Sequence, residues 1–222
     1  GAQYVTEAGT PTPITYYNEA TPIGQAFTLL ADRAETIGVV GLGAGAVACH
    51  ARPGQSFTYY EIDPLVVDIA KDPAYFTYLS SCTPDADIKL GDARITLGDA
   101  PENAYDLLLL DAFSSDAIPI HLLTREAMAL YLSRMTEDGV IVFHISNRHV
   151  DLLPVLARVG EAEGAVVLHQ LFLPQDDSAG KYVLPTNVMV FAKSEDALAP
   201  FLADPRWTRV NADGRRAWTD DY

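Results

Sequence analysis

Glu61, Asp92, Asp111 and Asp116 each follow an apolar, strand-like run, in the same order as those runs along the chain. Glu61 closes one run and stands about 20 residues beyond Gly41-Leu42-Gly43-Ala44-Gly45. At that spacing the glycines let the backbone approach a ligand while the acid takes both hydroxyls of a ribose. Asp92, in Gly91-Asp92-Ala93-Arg94, follows the next run. A carboxylate only accepts hydrogen bonds, so it suits the donor amine of an adenine. Asp111 ends the nearly continuous apolar stretch Tyr105-Asp106-Leu107-Leu108-Leu109-Leu110, and Asp116 lies five residues further on, before Ala117-Ile118-Pro119. The glycine spacing alone suits a nicotinamide dinucleotide as well as an S-adenosyl compound; the acid after the third strand favours adenosine. Singly, each acid also reads as a cap or turn residue. Four in series at strand ends point to a site.

The elements that must hold these acids alternate between strand and helix. Ile37 to Val40 is the first strand, followed by a short helix over Ala44 to Ala51 that Arg52-Pro53-Gly54 closes. Ser56 to Ile62 is the second strand, and Pro64, a residue favoured in a first helical turn, opens a helix to Lys71. Asp87 to Leu90 is the third strand. Tyr105 to Asp111 reads as a central parallel strand covered on both faces. Thr124 to Met135 is helical, Asp138-Gly139 turns into a fifth strand over Val140 to Ser146, and Leu152 to Glu163 is a further helix. Strands at Ala165 to Leu173 and Val183 to Ala192 flank a polar loop and form an antiparallel hairpin. The pattern is a doubly wound α/β sheet, in which ligands bind beyond the carboxyl ends of the strands near the switch in strand order.

The 222 residues, 49% hydrophobic and 20% charged, suffice for one substantial core. The longest apolar stretch, around residues 37 to 49, is interrupted by glycines and falls short of the roughly 20 residues a membrane span needs. The formal charge of −15 opposes nucleic acid and anionic membrane surfaces and attracts a small cation. Cys49 and Cys82 have neither metal-ligand nor framework spacing and read as reduced buried thiols. His50, His121, His144, His149 and His169 are scattered without a zinc pattern, so no metal is expected.

The glycine loop, Glu61-Ile62-Asp63, Gly91-Asp92 and the stretch from Asp111 to Pro119 together resemble the spermidine synthase family of aminopropyltransferases. They are closest to the bacterial spermidine synthase-like domains often fused behind membrane spans. The resemblance runs from Gln3 through Tyr16-Tyr17-Asn18-Glu19 and Pro22-Ile23-Gly24-Gln25 to Thr219-Asp220-Asp221-Tyr222. It implies a Rossmann-like S-adenosylmethionine-dependent methyltransferase fold, a seven-stranded, mostly parallel sheet with a C-terminal antiparallel hairpin. It implies further that Gly41, Gly43 and Gly45 line a sulfonium nucleoside, Glu61 holds its ribose, and Asp92 with Ala93 meets its adenine. Asp111 matches the family's catalytic acid, which orients and deprotonates an attacking amine and balances the sulfonium charge. Tyr17, Gln3 and Asp116 fall on the substrate side, Asp116 as the anchor of a distal ammonium.

Two departures carry chemical consequences. The glycine loop has Ala44 where polyamine synthases usually hold the aminopropyl ammonium with an Asp, so a donor that keeps its carboxylate is no longer repelled. The interval from Asp111 to Asp116 is also two residues longer than is typical. The expected function is aminopropyl transfer from decarboxylated S-adenosylmethionine to a polyamine such as putrescine. The alternatives are an S-adenosylmethionine-dependent methyltransferase acting on a small or amine acceptor, and a noncatalytic nucleoside-binding domain of a membrane protein. Residues 1–25 are expected to form an acceptor-side segment, 26–195 the catalytic domain and 196–222 a C-terminal extension. A start without Met, and without the β-rich region that precedes this point in the family, suggests a piece of a longer protein. The partners that fit are a small cationic amine, a second copy in a homodimer and a fused membrane region. The expected setting is cytoplasmic, free or as the cytoplasmic domain of a membrane-attached protein.

Overall fold

A computed structural model describes residues 3–7, 9–113, 118–146, 150–175, 182–212, 214 and 216–221. The chain runs β1 (Tyr4–Val5), β2 (Pro11–Thr12), α1 (Pro22–Leu29), β3 (Thr36–Val40), a 3₁₀ turn (Ala46–His50), β4 (Ser56–Glu61), α2 (Pro64–Lys71) and α3 (Tyr78–Cys82). It continues with β5 (Asp87–Leu90), α4 (Ala93–Gly98), β6 (Tyr105–Leu110), a second 3₁₀ turn (Ile120–Leu122), α5 (Arg125–Arg134) and β7 (Met135–His144). The last elements are α6 (Leu153–Ala162), β8 (Val166–Phe172), β9 (Thr186–Ala192), α7 (Ala199–Leu202) and β10 (Thr208–Arg209).

Among the described residues the main sheet has eight strands in the order β10-β8-β9-β7-β6-β3-β4-β5, and β1 with β2 forms a separate small ribbon. Strands β5, β4, β3, β6 and β7 are parallel, while β9 is antiparallel to both β7 and β8. This is the methyltransferase-like α/β architecture expected from the sequence, with one strand more than the seven foreseen. The extra strand, β10, is two residues pairing antiparallel with β8 at the sheet's edge, too short to carry an apolar alternation.

The central strands explain why the sheet needs cover on both faces. In β6, Leu107 and Leu109 pack into one core with Val39, Val142 and helix α1; Leu108 and Leu110 pack into the other with Val40, Phe143, Met128 and Leu156. All four leucines are at most 2% exposed, as the period-2 geometry of a doubly covered strand requires. Helix α2 starts where the sequence marks it: Asp63 caps it by accepting the Leu65 N–H at 2.9 Å, and Pro64 fills the first position, where no donor is needed.

Two local expectations are corrected. Strand β7 begins at Met135, before Asp138-Gly139, because its start pairs with Tyr105 across an irregularity in the β6 register. Cys49 and Cys82 are not free thiols but a disulfide with Cα atoms 5.0 Å apart. The 3₁₀ turn after the glycine loop packs on α3 and brings the two together, a neighbourhood that a separation of 33 residues does not reveal. Disulfides are rare in the cytosol, so the bond weighs against the cytoplasmic setting expected above. No helix among the described residues is long and apolar enough to cross a membrane.

Candidate active site

The strand order reverses around β3, between β4 and β6, and the carboxyl ends of those strands open into a cavity of about 490 Å³. Val40 pairs with Leu110, so the next residues, Gly41 and Asp111, lie side by side. Gly41 has φ 92°, and a Cβ there would come within 2.5 Å of the Asp111 carbonyl oxygen. A side chain at Gly41 would therefore push β3 away from the strand that carries Asp111.

Glu61, 8% exposed at the end of β4, lines the cavity and ties the loop to the strand. One carboxylate oxygen accepts the Leu42 N–H at 2.9 Å and the other the Asp63 N–H at 3.0 Å. Each oxygen keeps lone-pair capacity for a hydroxyl donor. Asp92 caps α4 by accepting the Arg94 N–H at 2.9 Å, and its second oxygen lies 3.0 Å from His121 Nε2. Asp92, Ala93, Pro119, His121 and Leu122 line the same cavity, as does the exposed Ile62.

On the opposite side, the Tyr17 hydroxyl donates to Asp111 at 2.6 Å. Burial first, and the neighbouring Asp111 carboxylate second, push the Tyr17 phenol well above its ordinary pKa, so it stays a proton donor. The segment bearing Tyr17 is fixed by local bonds: Thr21 Oγ1 donates to the Tyr16 carbonyl at 2.6 Å, and His50 Nε2 lies 2.7 Å from the Tyr17 carbonyl. Gly24 in α1 lets that segment lie directly on the helix, since a Cβ there would collide with the Asn18 carbonyl.

Gly41, Gly43, Glu61, Asp92, Ala93, Asp111 and Tyr17 therefore line one cavity. Gly45 lies behind the loop against Leu79, and Gln3 is engaged elsewhere, exchanging two hydrogen bonds with Thr77. Asp116 lies outside the described residues. The sequence reading did not single out Tyr16, Phe113, His121 or His144, all of which line the cavity. His144 ends β7 as Asp111 follows β6, and only the pairing of these two parallel strands brings them together. Among the described residues no group of three His, Cys, Asp or Glu side chains could hold a metal ion.

The polyamine aminopropyltransferase of Vibrio vulnificus (strain CMCP6) is 34% identical over 113 residues, covering 49% of this chain and 36% of that protein. The crystal structure of a probable spermidine synthase from Corynebacterium glutamicum ATCC 13032 superposes with a TM-score of 0.62 at 14% identity, covering 98% of this chain and 92% of that one. The chain is thus similar to an aminopropyltransferase over about half its length and shares its fold with a probable spermidine synthase. No protein-family model matches it. The chain also shares its fold with a TehB-like SAM-dependent methyltransferase of C. glutamicum, with a TM-score of 0.53 at 18% identity, covering 79% of this chain and 90% of that one. It spans about a third of the length of its curated Vibrio relative.

Proposed function

We propose that the chain transfers an aminopropyl group from decarboxylated S-adenosylmethionine to a small amine such as putrescine. The observation that carries this is Asp111: a buried carboxylate at the end of the central strand, facing the same cavity as Glu61 and accepting from Tyr17. The donor's ribose lies on Glu61 and its adenine between Ile62 and the wall of Asp92, Ala93 and Leu122. Its sulfonium-activated carbon then faces Asp111. The amine nitrogen attacks that carbon as the carbon–sulfur bond breaks, methylthioadenosine leaves, and the nitrogen gives up a proton to Asp111. Holding both reactants in line, and setting a negative charge beside two cations, supplies the acceleration. The net charge of −15 favours the approach of a cationic acceptor. Residues 1–25 serve the acceptor side, 26–195 hold the donor, and 196–222 extend the sheet edge.

Ala44 supports a second reading, methyl transfer from S-adenosylmethionine, because the loop presents no acid against the donor's carboxylate. Mass spectrometry of products, with putrescine and other amines offered alongside each donor, separates the two readings. Methylthioadenosine released together with an amine heavier by one aminopropyl unit supports the proposal. A methylated amine with S-adenosylhomocysteine replaces it with the second reading. Calorimetric binding of methylthioadenosine without turnover of any donor and amine pair would leave a nucleoside-binding domain.

A further inference from the structure

Leu110 of β6 pairs with Phe143 of β7, so the residues that follow, Asp111 and His144, stand side by side at the carboxyl ends of two parallel strands. They continue the rows of Leu109 and Val142 and so face the core that Tyr16 and Tyr17 cover. His144 Nδ1 lies 2.6 Å from one Asp111 oxygen, with the two side chains 4% and 7% exposed, while the other oxygen takes the Tyr17 hydroxyl. Across the ring, Nε2 is 2.8 Å from Ser146 Oγ, which accepts the Asn187 N–H at 2.9 Å.

These contacts place a hydrogen on Nδ1. An ionised carboxylate only accepts, so Nδ1 carries the hydrogen; Ser146, already accepting from Asn187, has its own hydrogen free to give to Nε2. With Nδ1–H donated to Asp111, every group from Tyr17 through Asp111, His144 and Ser146 to Asn187 has a partner. The rings of Tyr16 and Phe113, with centroids 5.1 and 4.9 Å from that of the imidazole, confine it.

We propose that His144 is a positioning residue for the transfer, holding the Asp111 carboxylate in one plane through an Nδ1–H bond while Tyr17 holds its other oxygen. This rests on the transferase reading given above. Fixed at both oxygens, the carboxylate keeps its remaining lone pairs aimed into the cavity, where the amine must be oriented. The ring gives one hydrogen bond and exchanges no proton with the amine.

The test compares His144→Asn, which puts an amide nitrogen where Nδ1 was, with His144→Gln and His144→Leu, which do not. The Leu and Gln variants should lose roughly 10- to 100-fold in kcat, the rate equivalent of one hydrogen bond to a charged group, while the KM for the amine and the affinity for methylthioadenosine move about threefold or less. The Asn variant should stay within about tenfold of the parent. Full activity in the Leu variant overturns the proposal, and so does an Asn variant as poor as the Leu variant, the outcome expected of a proton relay. Nitrogen-15 NMR of histidine-labelled parent protein, assigned with the His144→Asn spectrum, reads the tautomer without any turnover. A ring protonated on Nε2 instead of Nδ1 overturns the pairing. Should the parent transfer nothing, the transferase reading fails, and the spectrum alone then decides whether His144 orders Asp111.

Discussion

Replacing Glu61 by Ala should affect binding and folding by separable amounts. The carboxylate accepts two bonds inside the protein, from the N–H groups of Leu42 and Asp63, and its remaining lone pairs are the ones the proposal assigns to the ribose. Losing a charged acceptor for the ribose hydroxyls costs about 1.5–3 kcal/mol, which raises the Kd for methylthioadenosine roughly 10- to 150-fold. Asp63 is exposed, so water replaces Glu61 there; the bond from Leu42 N is buried, and that donor is left unpaired. One such donor costs about 1–3 kcal/mol, a fall in Tm of roughly 2–12 °C for a chain of this size. Glu61→Gln separates the effects. Its amide oxygen can still accept from Leu42 and keep most of the Tm, while its NH₂ replaces the oxygen that accepts from the exposed Asp63 N–H, with the lone pair it offered to the ribose. Isothermal calorimetry and thermal unfolding of both variants are the assays. An unchanged Kd in Glu61→Ala refutes the ribose assignment whatever happens to the Tm.

Asp111→Asn keeps the shape but loses the charge and the proton acceptor, so transfer should fall by roughly 100-fold or more with little change in nucleoside affinity. Near-parent turnover by mass spectrometry would remove Asp111 from the chemistry. Ala44→Asp should shift donor preference toward decarboxylated S-adenosylmethionine, through attraction of its ammonium and repulsion of a carboxylate. Competition between the two donors reads the shift, and a move toward S-adenosylmethionine refutes this picture of the loop. Burial raises the pKa of Tyr17, Tyr59, Tyr60 and Tyr131 in the folded protein. The resulting stabilisation is complete below the unfolded tyrosine value of about 10 and is lost as pH rises toward the folded values. Urea midpoints should therefore drop steeply above about pH 10; a flat profile to pH 12 would contradict the burial of these phenols.

The parts of the fold legible in the sequence were those where local chemistry and tertiary need agree. The apolar run from Leu107 to Leu110 requires cover on both faces, and Asp63-Pro64 is a helix start in any context; both appear where expected. Glu61 and Asp111 were readable because a strand end puts an acid at the mouth of a parallel sheet. Register was not readable. That His144 meets Asp111, and that His121 meets Asp92, follows from which strands and loops become neighbours, and a scattered histidine carries no mark of it. The same holds for Cys49 and Cys82, joined by the packing of two short helical turns, and for β10, whose two residues gain strand geometry only by pairing with β8.

The Cys49–Cys82 bond closes a covalent ring, and its contents are telling. Between those cysteines lie β4 and α2, and with them Tyr60, Glu61, Ile62, Asp63 and Val66 of the cavity lining. Closing a ring of this length limits the unfolded chain by roughly 3–4 kcal/mol on the chain-entropy estimate. This part of the cavity lining is thus tethered by topology as well as by packing. A protease that cuts an exposed turn within the ring, such as the one at Arg52-Pro53-Gly54, leaves both pieces joined through sulfur. Such a nicked protein runs as one chain until a thiol is added and as two fragments afterwards, which makes the ring visible on a gel without any knowledge of the substrate.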